Sequence, residues 1–220
     1  MSGSLRAFVV PVTAFQQNCS LLLDEASGEG AVVDPGGDIE LILATAKKRN
    51  VPIRQILLTH AHCDHAGATA ELALRLGVPI VGPHEDDRFW IESLPEQAAM
   101  FGLEPARSFE PDRWLVQGDR VRVGQQDLEV RHCPGHTPGH VVFVHLPSKL
   151  ALVGDVLFQG SIGRTDFPRG DYDTLIASIR RELLSLPDDV TFVPGHGPTS
   201  TIGAERRSNP FLAPARGQRA

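Results

Sequence analysis

Thr59-His60-Ala61-His62-Cys63-Asp64-His65-Ala66-Gly67 packs three histidines and one aspartate into six consecutive positions, in a chain with nine histidines among 220 residues. Just before it, residues 53–58 (IRQILL) read as a buried strand. After it, an apolar helical period runs from about His65 to Leu76 and is stopped by Gly77 and Pro79. The cluster therefore occupies a strand-to-helix turn. In extended backbone His60 and His62 point the same way, because side chains alternate with period two. Asp64 and His65 open the helix and can be turned toward a neighbouring point. Imidazole nitrogen and carboxylate oxygen are the usual ligands of zinc and similar borderline cations.

Three more segments repeat this grammar of apolar strand, small residue, then ligand. His136 lies in His132-Cys133-Pro134-Gly135-His136-Thr137-Pro138-Gly139-His140, where Pro and Gly build a rigid turn after a strand. Asp155 closes Val153-Gly154-Asp155, and His196 follows Val193-Pro194-Gly195. Taken singly, Asp155 reads as a turn residue and His196 as a solvated loop residue. Taken together, five histidines and two aspartates at successive strand ends have no explanation as packing, since clustered imidazoles and carboxylates lose free energy on burial unless they ligate or pair.

The rest of the chain reads as alternating strands and helices. LRAFVVPV (5–12) and NCSLLLD (18–24) form an opening antiparallel pair. Residues 30–34 form a strand closed by Pro35-Gly36-Gly37, and Asp38 caps a helix to about Arg49 with Ile39, Ile42, Leu43 and Ala46 on one face. Strands follow at 79–82, 127–132, 140–146, 150–154 and 190–193, with a helix over 171–184. Residues 84–118 read as short helices and loop, and the tail after Phe211 as frayed. Two sheets face to face with helices outside would bury these strands, but the pattern alone does not separate that sandwich from one doubly wound sheet.

The net charge of −6 comes without a basic block, which argues against nucleic acid as a partner. No apolar run approaches the roughly 20 residues that span a bilayer, and MSGSLRAFVVPV lacks the layout of a signal peptide. The expectation is a cytoplasmic protein with no membrane partner. Three cysteines, Cys19, Cys63 and Cys133, make no disulfide framework. The oligomeric state is not legible.

THAHCDHAG, with DPGG, PGHTPGH, GD and PGHG in the same order, resembles the metallo-β-lactamase superfamily over residues 5–211. The resemblance implies a four-layer αββα sandwich. It also implies that His60, His62 and His136 hold one divalent ion, that Asp64, His65 and His196 hold a second, and that Asp155 bridges them. Zinc is the first expectation for both ions, with iron or manganese as alternatives. An aspartate at the bridging position sets the chain apart from β-lactamases with a cysteine ligand.

Within the superfamily the chain is most similar to the glyoxalase II group, the hydroxyacylglutathione hydrolases. That implies hydrolysis of a thioester such as S-D-lactoylglutathione by a metal-bridging hydroxide, with Asp64 orienting the nucleophile. A thiolate leaves without a proton, whereas an amide nitrogen needs a donor, so the site favours thioesters. Only 24 residues follow His196, too few for the helical glutathione-binding domain of the full-length enzymes, so residues 1–220 are expected to form a single hydrolase domain. Arg164, in Gly163-Arg164-Thr165-Asp166-Phe167, is the expected substrate-binding residue, read otherwise as a surface partner of Asp166. Arg206 and Arg207 are weaker candidates. Asp34 is expected to orient a ligand or the turn after it. His140 is read equally as a hydrogen-bonding neighbour of His136 or a solvent-facing strand residue. Cys133 is expected to be a small buried hydrophobe, and Cys63 has no assigned role. An iron-dependent glutathione persulfide dioxygenase, which has a similar GRTDF-like stretch, is the main rival. A non-catalytic metal-stabilised binding module is the rival from another class.

Overall fold

The computed structural model of the protein describes residues 4–212. The first sheet has five strands in the order β1-β2-β3-β4-β5: Leu5–Val12, Gln17–Asp24, Gly30–Val33, Ile53–Leu57 and Ile80–Val81. The first three run antiparallel, while β3, β4 and β5 are parallel. Helix α1 (Ile39–Arg49) makes the first parallel crossover. The second crossover holds α2 (Cys63–Ala66) and α3 (Thr69–Leu76). Helices α4 (Arg88–Glu92) and α5 (Leu94–Phe101) follow β5, as expected for the 84–118 stretch.

The second sheet draws on β6 (Arg120–Val123), β7 (Gln126–His132), β8 (Val141–His145), β9 (Leu150–Gly154), β12 (Thr191–Pro194) and β13 (Ser200–Thr201). Their spatial order is β13-β12-β9-β8-β7-β6, and β9 pairs with β12 in parallel. A small ribbon, β10 (Leu157–Phe158) with β11 (Ser161–Ile162), leaves β9 beside the second sheet. Helix α6 (Tyr172–Ser178) continues as a π-helical turn over Ile179–Leu183, and α7 is Ile202–Ser208.

Alternation along the strands shows why two sheets must face each other. On β2, β4 and β8, Leu22, Leu57 and Phe143 enter the core between the sheets. Their neighbours Leu21, Ile56, Val142 and Val144 point the other way, into separate outer cores. Strands buried on both faces need cover on both faces. Ile42, Leu72, Ile91 and Leu94 from α1, α3, α4 and α5 supply it over the first sheet. Leu175, Ile176 and Ile179 supply it over the second. The architecture is thus the αββα sandwich, not the single doubly wound sheet.

Three local expectations need correction. The helix expected over 65–76 is two helices. Gly36 packs so closely on the backbone carbonyl of Asp64 that a Cβ would overlap it, and the Ala68 N–H bonds instead to the Pro35 carbonyl at 3.1 Å, breaking the ladder. Asp38 does not cap α1 with its side chain, which accepts the Thr13 N–H at 2.7 Å. Its own left-handed backbone turns its carbonyl to Leu41 and Ile42. Strand β6 and the short β10, β11 and β13 had no counterpart in the sequence reading. The tail beyond Leu212 lies outside the described residues. Among the described residues no helix is long and apolar enough to cross a membrane.

Candidate metal centre

Every strand that carries a candidate ligand delivers it at the same end of the sandwich. His60 and His62 follow β4, and Asp64 and His65 lie in α2. His136 lies between β7 and β8, while Asp155 and His196 follow β9 and β12. Backbone bonds knit these loops together. The Val141 N–H donates to the Thr59 carbonyl (2.8 Å), the Gly195 N–H to the Gly154 carbonyl (2.8 Å), and the Asn18 N–H to the Gly195 carbonyl (2.7 Å). The approach at Gly195 admits no side chain, because a Cβ there would overlap Asp155 Oδ1 and the His65 ring.

The seven side chains form two joined groups. His62 Nδ1 lies 3.2 Å from His60 Nε2 and 3.0 Å from His136 Nε2. In the second group His196 Nε2 lies 3.0 Å, and His65 Nε2 3.9 Å, from Asp64 Oδ2. Asp155 stands between the groups. Its Oδ1 is 3.3 Å from His65 Nε2, and its Oδ2 is 3.6 Å from His136 Nε2 and 3.7 Å from His196 Nε2. The convergence expected of the seven residues is therefore present in the geometry, and each trio has its ligand atoms close enough to hold one ion.

The hydrogen-bond network fixes which nitrogens face inward. His136 Nδ1 donates to the Arg164 carbonyl (2.7 Å) and His196 Nδ1 to the Phe15 carbonyl (3.2 Å). His65 Nδ1 donates to Asp34 Oδ2 (3.0 Å). The Thr59 hydroxyl donates to Asp34 Oδ2 (2.6 Å), so its oxygen accepts from His60 Nδ1 (3.1 Å). Each outer bond assigns the proton to Nδ1 and leaves an Nε2 lone pair aimed at the centre whenever the ring is neutral. Crowded inward lone pairs repel unless a proton or a cation lies among them. Buried His65 Nε2 and Asp155 Oδ1, 3.3 Å apart, find no well-formed hydrogen bond among the described residues, as expected of atoms whose partner is an ion. This mixed nitrogen and oxygen donor set fits divalent metal binding.

Electrostatics keeps the carboxylates charged and divides the imidazoles into a group that favours the neutral form and a pair, His65 and His196, that favours the charged one. Burial pushes His60, His62, His136 and His140 below the ordinary histidine range. Burial also opposes charge on His65, but Asp155 and Asp64 outweigh it and hold that ring well above the range. His196 is raised against burial mainly by its bond to Asp64. Against the same burial penalty, the facing histidines, His65 foremost, hold Asp64 and Asp155 below the usual carboxylate range. Deprotonated carboxylates and neutral imidazoles are the forms that bind metal.

A supporting layer surrounds these side chains. Asp34 acts as expected and does more: its Oδ1 accepts the Thr59 N–H at 2.7 Å, so it orients His65 and His60 together. His140 follows the first of its two readings, a hydrogen-bonding neighbour of His136 at 6.1 Å between ring centres, and not the solvent-facing one. It is fully buried, stacks on His60 at 4.6 Å, and its Nε2 accepts the Asp155 N–H at 3.0 Å. Asp87 was not anticipated. It is buried and ties two ligand loops together, accepting from Ala61 N (3.1 Å), the Thr137 hydroxyl (2.9 Å) and Gly139 N (2.6 Å). Burial raises it to about 7 although those three donors oppose the shift. Gln97 is also new, its Oε1 accepting the Cys63 N–H at 3.0 Å.

The remaining candidates sit as follows. Cys63 is buried beside the ligands, its thiol pushed up to about 12 by burial and then by Asp64. Cys133 is the buried small hydrophobe expected, in the core under α6. Arg164 lines the cavity over the ligands, with its guanidinium forked onto Asp166 (2.7 Å twice) and lying over the Phe167 ring at 4.2 Å. Arg206 and Arg207 instead bind Asp188, and Arg206 also bonds the Leu184 and Leu186 carbonyls (2.7 and 2.8 Å), which ties α7 down.

Comparison with known proteins follows the same lines. The family described as the metallo-beta-lactamase superfamily matches residues 12–196. Hydroxyacylglutathione hydrolase GloC of Haemophilus influenzae is 52% identical over 205 residues, 93% of this chain and 96% of its own. Among solved structures, BLEG-1 B3 metallo-beta-lactamase superposes with a TM-score of 0.86 at 35% identity, over 96% of this chain and 100% of that one. TTHA1623 in a di-iron-bound form gives 0.85 at 39% identity, over 93% and 100%.

Proposed function

The chain belongs to the metallo-β-lactamase superfamily, and from that premise we propose that it is a metal-dependent hydrolase of thioesters, with a hydroxyacylglutathione such as S-D-lactoylglutathione as substrate. The observation that carries the reading is the pair of ligand trios joined through Asp155. The relative named hydroxyacylglutathione hydrolase, identical at 52% of positions, supports the substrate class.

In this proposal His60, His62 and His136 would hold one divalent cation and Asp64, His65 and His196 another, with Asp155, which stands between the trios, available to both. Bound there, the cations supply Lewis acidity, which lowers the pKa of water and polarises the thioester carbonyl. The protein's own part is to keep His60, His62 and His136 neutral and the two carboxylates charged, and to orient the reactants. Asp34 and the Arg164 and Phe15 carbonyls lock the imidazole tautomers. Asp64 lines the cavity and orients the attacking water through its carboxylate. Departure of a thiolate asks for no proton donor. Arg164 contributes to substrate binding, so Arg164→Ala raises KM for S-D-lactoylglutathione, and an unchanged KM removes it from that role.

The test is turnover of S-D-lactoylglutathione by metal-loaded protein, run beside oxygen uptake with glutathione persulfide. Thioester cleavage without oxygen uptake supports the proposal. Oxygen uptake without thioester cleavage identifies a dioxygenase instead, and metal-dependent folding with neither activity identifies a binding module. Zinc is the first metal to load, with iron and manganese beside it, since a related structure is described as di-iron-bound.

A further inference from the structure

The cavity above the ligands has a wall chemistry of its own. It encloses about 480 Å³, and Phe15, Trp90, Phe101, Phe158, Ile162 and Phe167 line it together with the ligands. The aromatic surface begins at the ligands themselves: the His62 ring lies 4.6 Å from Trp90 and 4.8 Å from Phe167, and Phe158 lies 6.5 Å from His196.

At the mouth, Phe15 from the β1–β2 turn meets Phe101 from the end of α5 edge-on, at 6.0 Å. Both rings are close to half exposed, at 44% and 45%. The Phe15 segment is not a loose loop, because its carbonyl accepts from His196 and anchors the turn to the site. Aromatic side chains left in water around a concave site mark a surface that a ligand covers. A carbonyl placed at the ligands would set its substituent directly among these rings.

Resting on the thioesterase reading, we propose that this cavity selects substrates whose acyl group carries a bulky apolar substituent, an aryl ring above all, with Phe15 and Phe101 as specificity-determining residues. The preferred members of that substrate class are then aryl- or large-alkyl-substituted 2-hydroxyacyl thioesters, with the lactoyl ester still cleaved but less efficiently. Transfer of one ring from water to such walls gives a preference of about 10- to 30-fold.

The experiment compares kcat/KM of the metal-loaded protein for S-D-mandeloylglutathione and S-D-lactoylglutathione, which share a thiol and a 2-hydroxyacyl frame and differ in a phenyl against a methyl group. The mandeloyl ester is expected to lead by about tenfold or more. Phe101→Ala and Phe15→Ala should each shrink that ratio about threefold or more, while Phe101→Leu, which keeps apolar bulk at an exposed position, retains most of it. A wild-type ratio near one, or a ratio that both alanine variants leave intact, overturns the proposal. Should neither ester be cleaved, the hydrolase reading fails by itself. The cavity is then judged by binding of the stable thioethers S-benzylglutathione and S-methylglutathione, read from Trp90 fluorescence in a Trp114→Phe background. Tenfold tighter binding of the benzyl compound supports the apolar preference, and equal affinity overturns it.

Discussion

Asp24 and Asp155 are both buried carboxylates at strand ends, one at each end of the sandwich, and they have opposite surroundings. Strand β2 begins beside His196, through the pairing of Gln17, and ends at Asp24, about 23 Å from Gln17 along an extended strand. Asp24 is closed off by protein donors. It accepts from the Ser27 hydroxyl (2.6 Å), the backbone of Ala26, Ser27 and Gln125 (3.2, 3.2 and 2.9 Å) and Gln126 Nε2 (2.9 Å). Asp155 has histidines on several sides, an oxygen with no well-formed hydrogen bond among the described residues, and a cavity above it. The first arrangement completes a turn and joins two sheets, because β2 belongs to one and the Gln125–Gln126 turn to the other. The second leaves valence for something the protein does not provide. Burial of charge does not by itself mark a functional site; burial with unmet coordination does.

The contrast predicts different failures when each carboxylate is removed. Asp155→Ala takes away the contact between the two trios. Activity should fall on the order of a thousandfold or more, and bound metal should drop, with both read by assay and elemental analysis. Asp24→Ala should leave metal content intact but lower unfolding free energy by about 1–2 kcal/mol in denaturant titration, because it removes the acceptor that joins the two sheets and leaves the buried Gln126 amide unpaired. Asp34→Asn tests the boundary between the two kinds. It keeps the shape of the turn but weakens the acceptor that orients His65 and His60, so metal affinity should fall by about 10- to 100-fold in a chelator competition.

The smallest effect is in acid. Against burial, the Ser27, Gln125, Ala26 and Gln126 donors hold Asp24 down to about 2 from an ordinary 3.8. A depressed folded-state value means that its stabilisation is complete above the ordinary value and is lost as pH falls from about 4 to about 2. Asp24→Asn should therefore flatten the fall in Tm across that window. An unchanged slope would mean that the Asp24 network contributes nothing to acid sensitivity.

The same contrast explains what the sequence could tell. The ligands were legible because they crowd together, as in residues 60–65, or stand against Pro and Gly at strand ends, as His136 and His196 do. The αββα layering followed from the family resemblance, whereas the strand pattern alone left a doubly wound sheet open. Asp87 was hidden because Glu85-Asp86-Asp87 reads as an ordinary acidic run, and only burial against Thr137 and Gly139 gives it a role. His140 was ambiguous for a similar reason, since strand alternation says nothing about an imidazole stacking beneath a ligand such as His60. The break between α2 and α3 was illegible because it comes from Gly36, 31 residues from Gly67, pressing on the Asp64 carbonyl. Strand β6 was missed although Arg120-Val121-Arg122-Val123 alternates, because four residues carry too little period to stand out from the loop before them.

The most direct measurement of the central claim is an anomalous-scattering crystal structure of metal-loaded protein, collected on both sides of the absorption edge of the loaded metal. The account predicts two peaks per chain, one within bonding distance of His60 Nε2, His62 Nδ1 and His136 Nε2, the other among Asp64, His65 and His196, with Asp155 touching both. A single peak, or peaks away from these seven side chains, would contradict it.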